Sequence, residues 1–192
     1  MIAARLPLIG LLLALAAGVA LKLIYSGAAD DEPRWLLSAS VTVFENVSGL
    51  VFAFEPGVGY LSADGRLLVY RGCSGLNAFV LALWQVALVP LLGLIELTGP
   101  QPERSAKLPE FPGPPALLLY FAIGCVAAFL ITLMANAARM QSLLILEPVV
   151  PGILHPGVPH MVVGSFVYLV FLIVFFLSLR LSFQYIERQE AA

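Results

Sequence analysis

The chain is organised by long apolar runs, each close to the length a helix needs to cross a bilayer, separated by short polar breaks. A spanning helix takes about 20 mostly apolar residues. Residues 75–98, 116–138 and 161–182 meet that requirement with few or no charges, and Pro, Gly or charged residues close each run. Residues 6–25 are as apolar but begin near the N-terminus behind Arg5, with the small residues "ALAAGVA" near their end, which also describes a signal peptide. That run is long for a signal-peptide core and reaches Lys22 and Tyr25 without an obvious processing site, so a retained helix is expected. A further candidate, residues 35–54 ("WLLSASVTVFENVSGLVFAF"), carries Glu45 and Asn46 at its centre. An ionisable group at mid-membrane costs a few kcal/mol. If this segment spans, Glu45 is expected to face the bundle and hydrogen-bond there, with a proton relay as the sharper alternative.

Between residues 59 and 72 the period changes, because "GYLSADGRLLVYRG" alternates around Asp64-Gly65, a good turn pair. A short β-hairpin is therefore expected just before the helix that starts near residue 75. The proline-rich "PEFPGPP" (109–115) breaks the chain between two apolar runs. Together these signals predict an all-α integral membrane protein, one unit over residues 1–192. It would be a bundle of about five transmembrane helices with a short extracytoplasmic β-hairpin.

Composition agrees. Hydrophobic residues make up 60% of the chain and charged ones 11%, with a mean hydropathy of +0.97, outside the range of soluble domains. With a net charge of −2 and 10 Lys and Arg, there is no basic surface for nucleic acid. The two cysteines, Cys73 and Cys125, are not a close pair, and no Cys/His cluster has metal-ligand spacing, so neither a disulfide, a metal nor a cofactor is expected. Lys and Arg gather on the cytoplasmic side of membrane proteins. Arg104 and Lys107 in 99–115, with Arg180 and Arg188 towards the C-terminus, place those segments inside; the segment 55–74 and the loop 139–160 then lie outside. Arg66 and Arg71 in the outer segment count against this assignment.

On that map Cys73, Arg139 and His160 all fall at the outer ends of their helices. A thiolate is the attacking form of cysteine, and a helix N-terminus, a His or an Arg nearby helps to populate it. His160 could share the thiol proton and deliver it to a leaving amine. Arg139 offers fixed donors for substrate or for an acyl-transfer oxyanion. Gly72 and Gly75 would let a substrate backbone approach the sulfur. Each residue also has an ordinary reading: Cys73 as a small buried hydrophobe, Arg139 snorkelling to headgroups, His160 capping its helix. Cys125, in "IGCVAAF", reads as packing.

Three short motifs carry a resemblance: "CSG" at Cys73 to Gly75, "NAAR" at Asn136 to Arg139, and "HMVVG" at His160 to Gly164. In this order the chain resembles the exosortase/archaeosortase family of membrane cysteine transpeptidase-like enzymes. The "GCSGLNAF" variant and the preceding "EPGVGY" are most similar to its exosortase K branch. The resemblance covers roughly residues 35–182. It implies a cysteine peptidase or transpeptidase of the bacterial inner membrane, multi-pass, with its site on the extracytoplasmic side. Its partners would be secreted proteins ending in a short motif, a transmembrane helix and a basic tail, cleaved through a thioester, with membrane lipid around the enzyme. By position, Cys73 is the implied nucleophile, Arg139 the electrostatic stabiliser and His160 the acid/base, while Asn136 orients Arg139 or a substrate carbonyl. Ser74, Gly75, Asn77 and Gly164 would support or bind substrate. His155, before Pro156, competes with His160 but lacks the following Gly. The family's usual helix before the hairpin favours five spans and an outer N-terminus; four would put the N-terminus inside. The chain is smaller than a typical exosortase. A different class of function also fits the polar residues: a non-enzymatic membrane subunit or small carrier with a path through Glu45, Arg139 and His160.

Overall fold

A computed structural model describes residues 6–27, 34–98, 113–154 and 157–190. Among the described residues four helices are long and apolar enough to cross a membrane: Leu6–Gly27 (α1), Leu76–Thr98 (α3), Pro114–Leu146 (α4) and Val158–Glu190 (α5). At 1.5 Å per residue, the 22 residues of α1 extend about 33 Å and the 33 residues of α4 and of α5 about 50 Å each. All four exceed the roughly 30 Å hydrocarbon core, as in a multi-pass membrane protein. Helix α3 lies at the centre and packs on α1, α4 and α5. Its Ala82, Val86 and Val89 meet Ala128 of α4 and Phe175, Leu179 and Phe183 of α5 in the bundle core. Small residues permit the close approach: a Cβ on Gly124 of α4 would come within 2.5 Å of Val86. Trp84 Nε1–H donates to the Ala14 carbonyl at 3.2 Å and ties α1 to α3.

The expected spanning helix 35–54 does not form. In its place stand a 15-residue helix, Arg34–Ser48 (α2), and a strand, Phe52–Glu55 (β1). Fifteen residues reach about 22 Å, short of the hydrocarbon thickness. The pattern explains why α2 lies against the protein: Leu37, Ser40, Val41 and Phe44 are buried at the three- and four-residue spacing of one helix face. Gly49 ends the helix in a left-handed conformation (φ 72°), its N–H donating to the Glu45 carbonyl at 2.8 Å. Glu45 faces no bundle interior. Its side-chain carboxylate accepts the Phe52 N–H at 2.8 Å and holds the start of β1 against the end of α2.

The hairpin forms around Asp64-Gly65 as the alternation predicts, and β1 extends it to a three-stranded antiparallel sheet in the order β1-β2-β3. Strand β2, Gly59–Ser62, pairs with β1 (Phe52 opposite Ser62) and with β3, Leu68–Val69 (Tyr60 opposite Val69). Asp64 accepts the Ser62 hydroxyl at 2.6 Å and the Arg66 N–H at 3.1 Å, and these bonds hold its carboxyl below the usual range. Arg66 pairs with Glu147 at 3.0 Å, linking the hairpin to the end of α4. Helix α2 and the sheet form a cap on the C-terminal part of α4, where Leu37, Val41, Phe44 and Val69 surround Ala137, Met140 and Cys73. Arg180 and Glu96 pair between α5 and the far end of α3.

Candidate functional site

Strand β3 runs through Tyr70 into a single 3-10 turn, Arg71–Cys73, where the Cys73 N–H donates to the Tyr70 carbonyl at 2.7 Å. Gly75 then takes a left-handed conformation (φ 74°) that L side chains rarely adopt, and α3 starts at Leu76. Cys73 therefore sits where the cap meets the bundle. It is 5% exposed and packs with the apolar residues of the cap.

Helix α4 brings two of the predicted residues to this junction. It continues to Leu146, seven residues past Arg139, so Arg139 is not at a helix end as the apolar run had implied. Nor does its side chain snorkel to the surface, because Arg139 is only 8% exposed. Thr132, Asn136, Arg139 and Leu143 recur at helical spacing on the buried face. Asn136 Nδ2 donates to the Cys73 carbonyl at 2.7 Å, and its Oδ1 accepts the Tyr168 hydroxyl at 2.7 Å. The Arg139 guanidinium lies beside the Tyr168 ring, with its Cζ 5.8 Å from the ring centroid.

Helix α5 supplies the opposite wall. His160, in its first turn, is buried, with Nε2 at 2.6 Å from Arg139 Nη2 and Nδ1 at 3.1 Å from the Ile153 carbonyl. A carbonyl can only accept and a guanidinium can only donate. This pair of bonds therefore assigns the neutral tautomer, with the proton on Nδ1 and the Nε2 lone pair turned to Arg139. Four residues on, Gly164 lies against Arg139: a Cβ there would stand 2.6 Å from Nε. The "HMVVG" glycine is the space through which the arginine passes.

The structure thus brings together Cys73, Asn136, Arg139, His160 and Gly164. His160 reaches Arg139 and the Ile153 carbonyl, while Asn136 reaches the Cys73 carbonyl. Ser74 and Gly75 are buried in the turn, and a Cβ on Gly75 would meet Thr132 at 3.2 Å and the Tyr168 hydroxyl at 3.3 Å. Asn77 is exposed on the first turn of α3. Gly72 makes room for the Tyr70 ring, which a Cβ would approach at 2.7 Å. Cys125 is exposed on α4. Glu45 is committed to β1, and His155 and the loop carrying Arg104 and Lys107 lie outside the described residues. Among the described residues no group of three or more His, Cys, Asp or Glu is placed to hold a metal.

Tyr168 is the residue the sequence reading missed. Its signal was spacing, since His160, Gly164 and Tyr168 follow one another at four-residue steps on one face of α5. In an apolar run, "FVYLVF" gave it no other distinction.

A cavity of about 540 Å³ opens between α3 and α5, with Arg139 and His160 in its lining and Leu81, Leu169 and Leu172 further along. Another, of about 560 Å³, lies between the end of α1 and the Ser74–Asn77 turn, and Tyr70, Gly72, Asn77, Ala78 and Tyr168 line both. Neither lining includes Cys73, whose sulfur sits behind the wall formed by its neighbours. Both volumes fall in the range of small-ligand and peptide side-chain sites. Comparison with protein-family models, curated proteins and solved structures found no match to this chain.

Proposed function

We propose that this protein is a membrane-embedded cysteine peptidase or transpeptidase that cleaves the C-terminal sorting signal of secreted proteins. The observation that carries the reading is the environment of Arg139. A guanidinium that is 8% exposed, with no carboxylate partner among the described residues, meets a neutral histidine at a cavity wall, on the same helix face whose Asn136 holds the Cys73 carbonyl. A buried cation without a counter-charge is costly. A thiolate, or the oxyanion of an acyl-transfer intermediate, would supply the missing negative charge.

In this mechanism Cys73 attacks the scissile carbonyl as the thiolate. To form that thiolate, Arg139 first turns its donor away from His160 Nε2, whose freed lone pair takes the thiol proton. Arg139 then stabilises the oxyanion formed by the attack, and His160 returns the proton to the leaving amine as the carbon–nitrogen bond breaks. The remaining thioester passes to water or to an acceptor amine. The substrates would be secreted proteins with a C-terminal motif, a transmembrane helix and a basic tail. We place the site at the extracytoplasmic face of a bacterial inner membrane, surrounded by membrane lipid. The chain ends of α1 and α5 away from the site would then lie on the cytoplasmic side, in a four-span arrangement.

A carrier or subunit with a polar path through Glu45, Arg139 and His160 has less support. Glu45 belongs to the cap and its carboxylate is already used by the Phe52 N–H.

Co-expression with a candidate tagged substrate tests the reading, following loss of the tag by mass. Cys73→Ala should abolish processing while the protein still accumulates in the membrane. Unchanged processing would remove the cysteine mechanism.

A further inference from the structure

We propose that Tyr168 is a positioning residue whose hydroxyl sets the Asn136 amide, and through it the Cys73 carbonyl, so that the turn carrying the cysteine keeps its place on the α4 face that bears Arg139. The inference rests on the peptidase reading for its functional meaning, but its test does not.

The direction of each hydrogen bond is determined by chemistry. The Cys73 carbonyl can only accept, so the Asn136 group at 2.7 Å from it must be the amide nitrogen. That fixes the amide flip and turns Oδ1 towards α5. Oδ1 can only accept, so the Tyr168 hydroxyl at 2.7 Å must donate its proton there. The hydroxyl oxygen is left with lone pairs only, and the Arg139 guanidinium lies beside the same ring, its Cζ 5.8 Å from the centroid. Two arms therefore run side by side. One runs from Arg139 to His160 and the Ile153 carbonyl; the other runs from the Tyr168 hydroxyl to Asn136, whose amide holds the Cys73 carbonyl.

Three helices meet at this second arm: α5 gives Tyr168, α4 gives Asn136, and the turn into α3 gives Cys73. Gly75 keeps the arm short, because its missing Cβ would stand 3.3 Å from the Tyr168 oxygen. Asn136 is fully buried, so its amide has no water to replace a lost partner. Without the tyrosine hydroxyl, the Asn136 oxygen would be orphaned and the amide would lose the reason to keep its nitrogen on Cys73. The turn carrying the sulfur would then lose its side-chain anchor to α4 and keep its local bonds, among them that of the Cys73 N–H to the Tyr70 carbonyl.

The groups that can affect the thiol come from each packed element. Arg139 approaches from α4 and Tyr168 from α5, with His160 bonded to Arg139. The sheet side presents Tyr60 and Tyr70, and the buried face of α2 carries the apolar Leu37, Val41 and Phe44 with the uncharged Ser40.

The test is the alkylation rate of Cys73 by iodoacetamide across pH, read by mass on the full-length protein in a Cys125→Ala background. Tyr168→Phe keeps the ring and removes only the hydroxyl. It should slow alkylation about tenfold, the size of one net hydrogen bond. In an Asn136→Ala background, where the arm is already cut, Tyr168→Phe should add nothing further. An undiminished effect in that background would overturn the proposal, because Tyr168 would then act by another route. So would a Tyr168→Phe rate equal to the parent's. Faster alkylation at every pH would overturn it as well, since it would mark a merely structural role in covering the thiol. None of these outcomes depends on cleavage, so failure of the peptidase reading with Cys73→Ala would be seen separately.

Discussion

Replacing Gly164 with Ala adds one methyl group at the point where Arg139 passes under α5. Its Cβ would lie 2.6 Å from Arg139 Nε and 3.2 Å from Cδ, whereas ordinary contact begins near 3.4 Å. The difference, 3.4 − 2.6 = 0.8 Å, must be absorbed by the arginine or by the helix. The arginine cannot swing freely, because Nη2 is held on His160 at 2.6 Å and the side chain is 8% exposed. Overpacking of this kind costs about 1–3 kcal/mol of stability. A displacement approaching 1 Å of a group that stabilises a transition state costs about 100-fold in rate. Gly164→Ala should therefore lower the melting temperature in detergent and reduce processing of a tagged substrate about 100-fold, with the protein still in the membrane. A cycle with Arg139→Ala isolates the cause: once the colliding atoms are gone, Gly164→Ala should cost little stability. Wild-type processing and melting in Gly164→Ala would refute the fit. An equal stability loss in both backgrounds would show that the methyl collides with something other than Arg139.

Two further outcomes separate the cap from the site and fix the topology. Glu45→Gln keeps an acceptor for the Phe52 N–H but weakens a charge-assisted bond, so it should cost on the order of 1 kcal/mol in thermal unfolding and leave processing near wild type; a carrier working through Glu45 would instead lose function. A reporter fused at the N-terminus should read cytoplasmic if four helices span, with the α1 end at the Ser74–Asn77 turn outside, and an extracytoplasmic signal would require α2 to cross as well.

Much of this fold was legible because a bilayer imposes one length on every spanning helix, and four runs reached it. The segment 35–54 deceived for a related reason: its average hydrophobicity is high, but it comes from two elements with different periods. Residues 37, 40, 41 and 44 follow the helical spacing of a face laid on α4, and residues 52 to 55 alternate between half-buried and exposed as a strand does. Glu45 and Asn46 near the junction were better evidence against a span than for a buried charge within one. Helix length was misjudged in the other direction for α4. The apolar run stops at Arg139, whereas the helix continues through "MQSLLIL", because the cap covers that turn and lets it bury polar groups.

The site shows why sequence found the actors and missed their connections. Cys, Arg and His are visible as exceptions in apolar runs, but whether they touch depends on α4 extending beyond its hydrophobic run and on the cap closing over it. A bundle of four helices alone would leave the Cys73 turn at a helix end open to the membrane surface. Helix α2 and the sheet bury it, and burial changes what each neighbour must do: Asn136 has to satisfy a carbonyl, Tyr168 has to satisfy Asn136, and Arg139 finds a lone pair on His160 and the face of the Tyr168 ring. Residues on α4 donate to α5 and to the turn before α3, and α5 donates in return through the Tyr168 hydroxyl and the His160 Nδ1–H. The short non-spanning cap, the part of the chain the membrane pattern described worst, is therefore what turns three polar exceptions into one connected site.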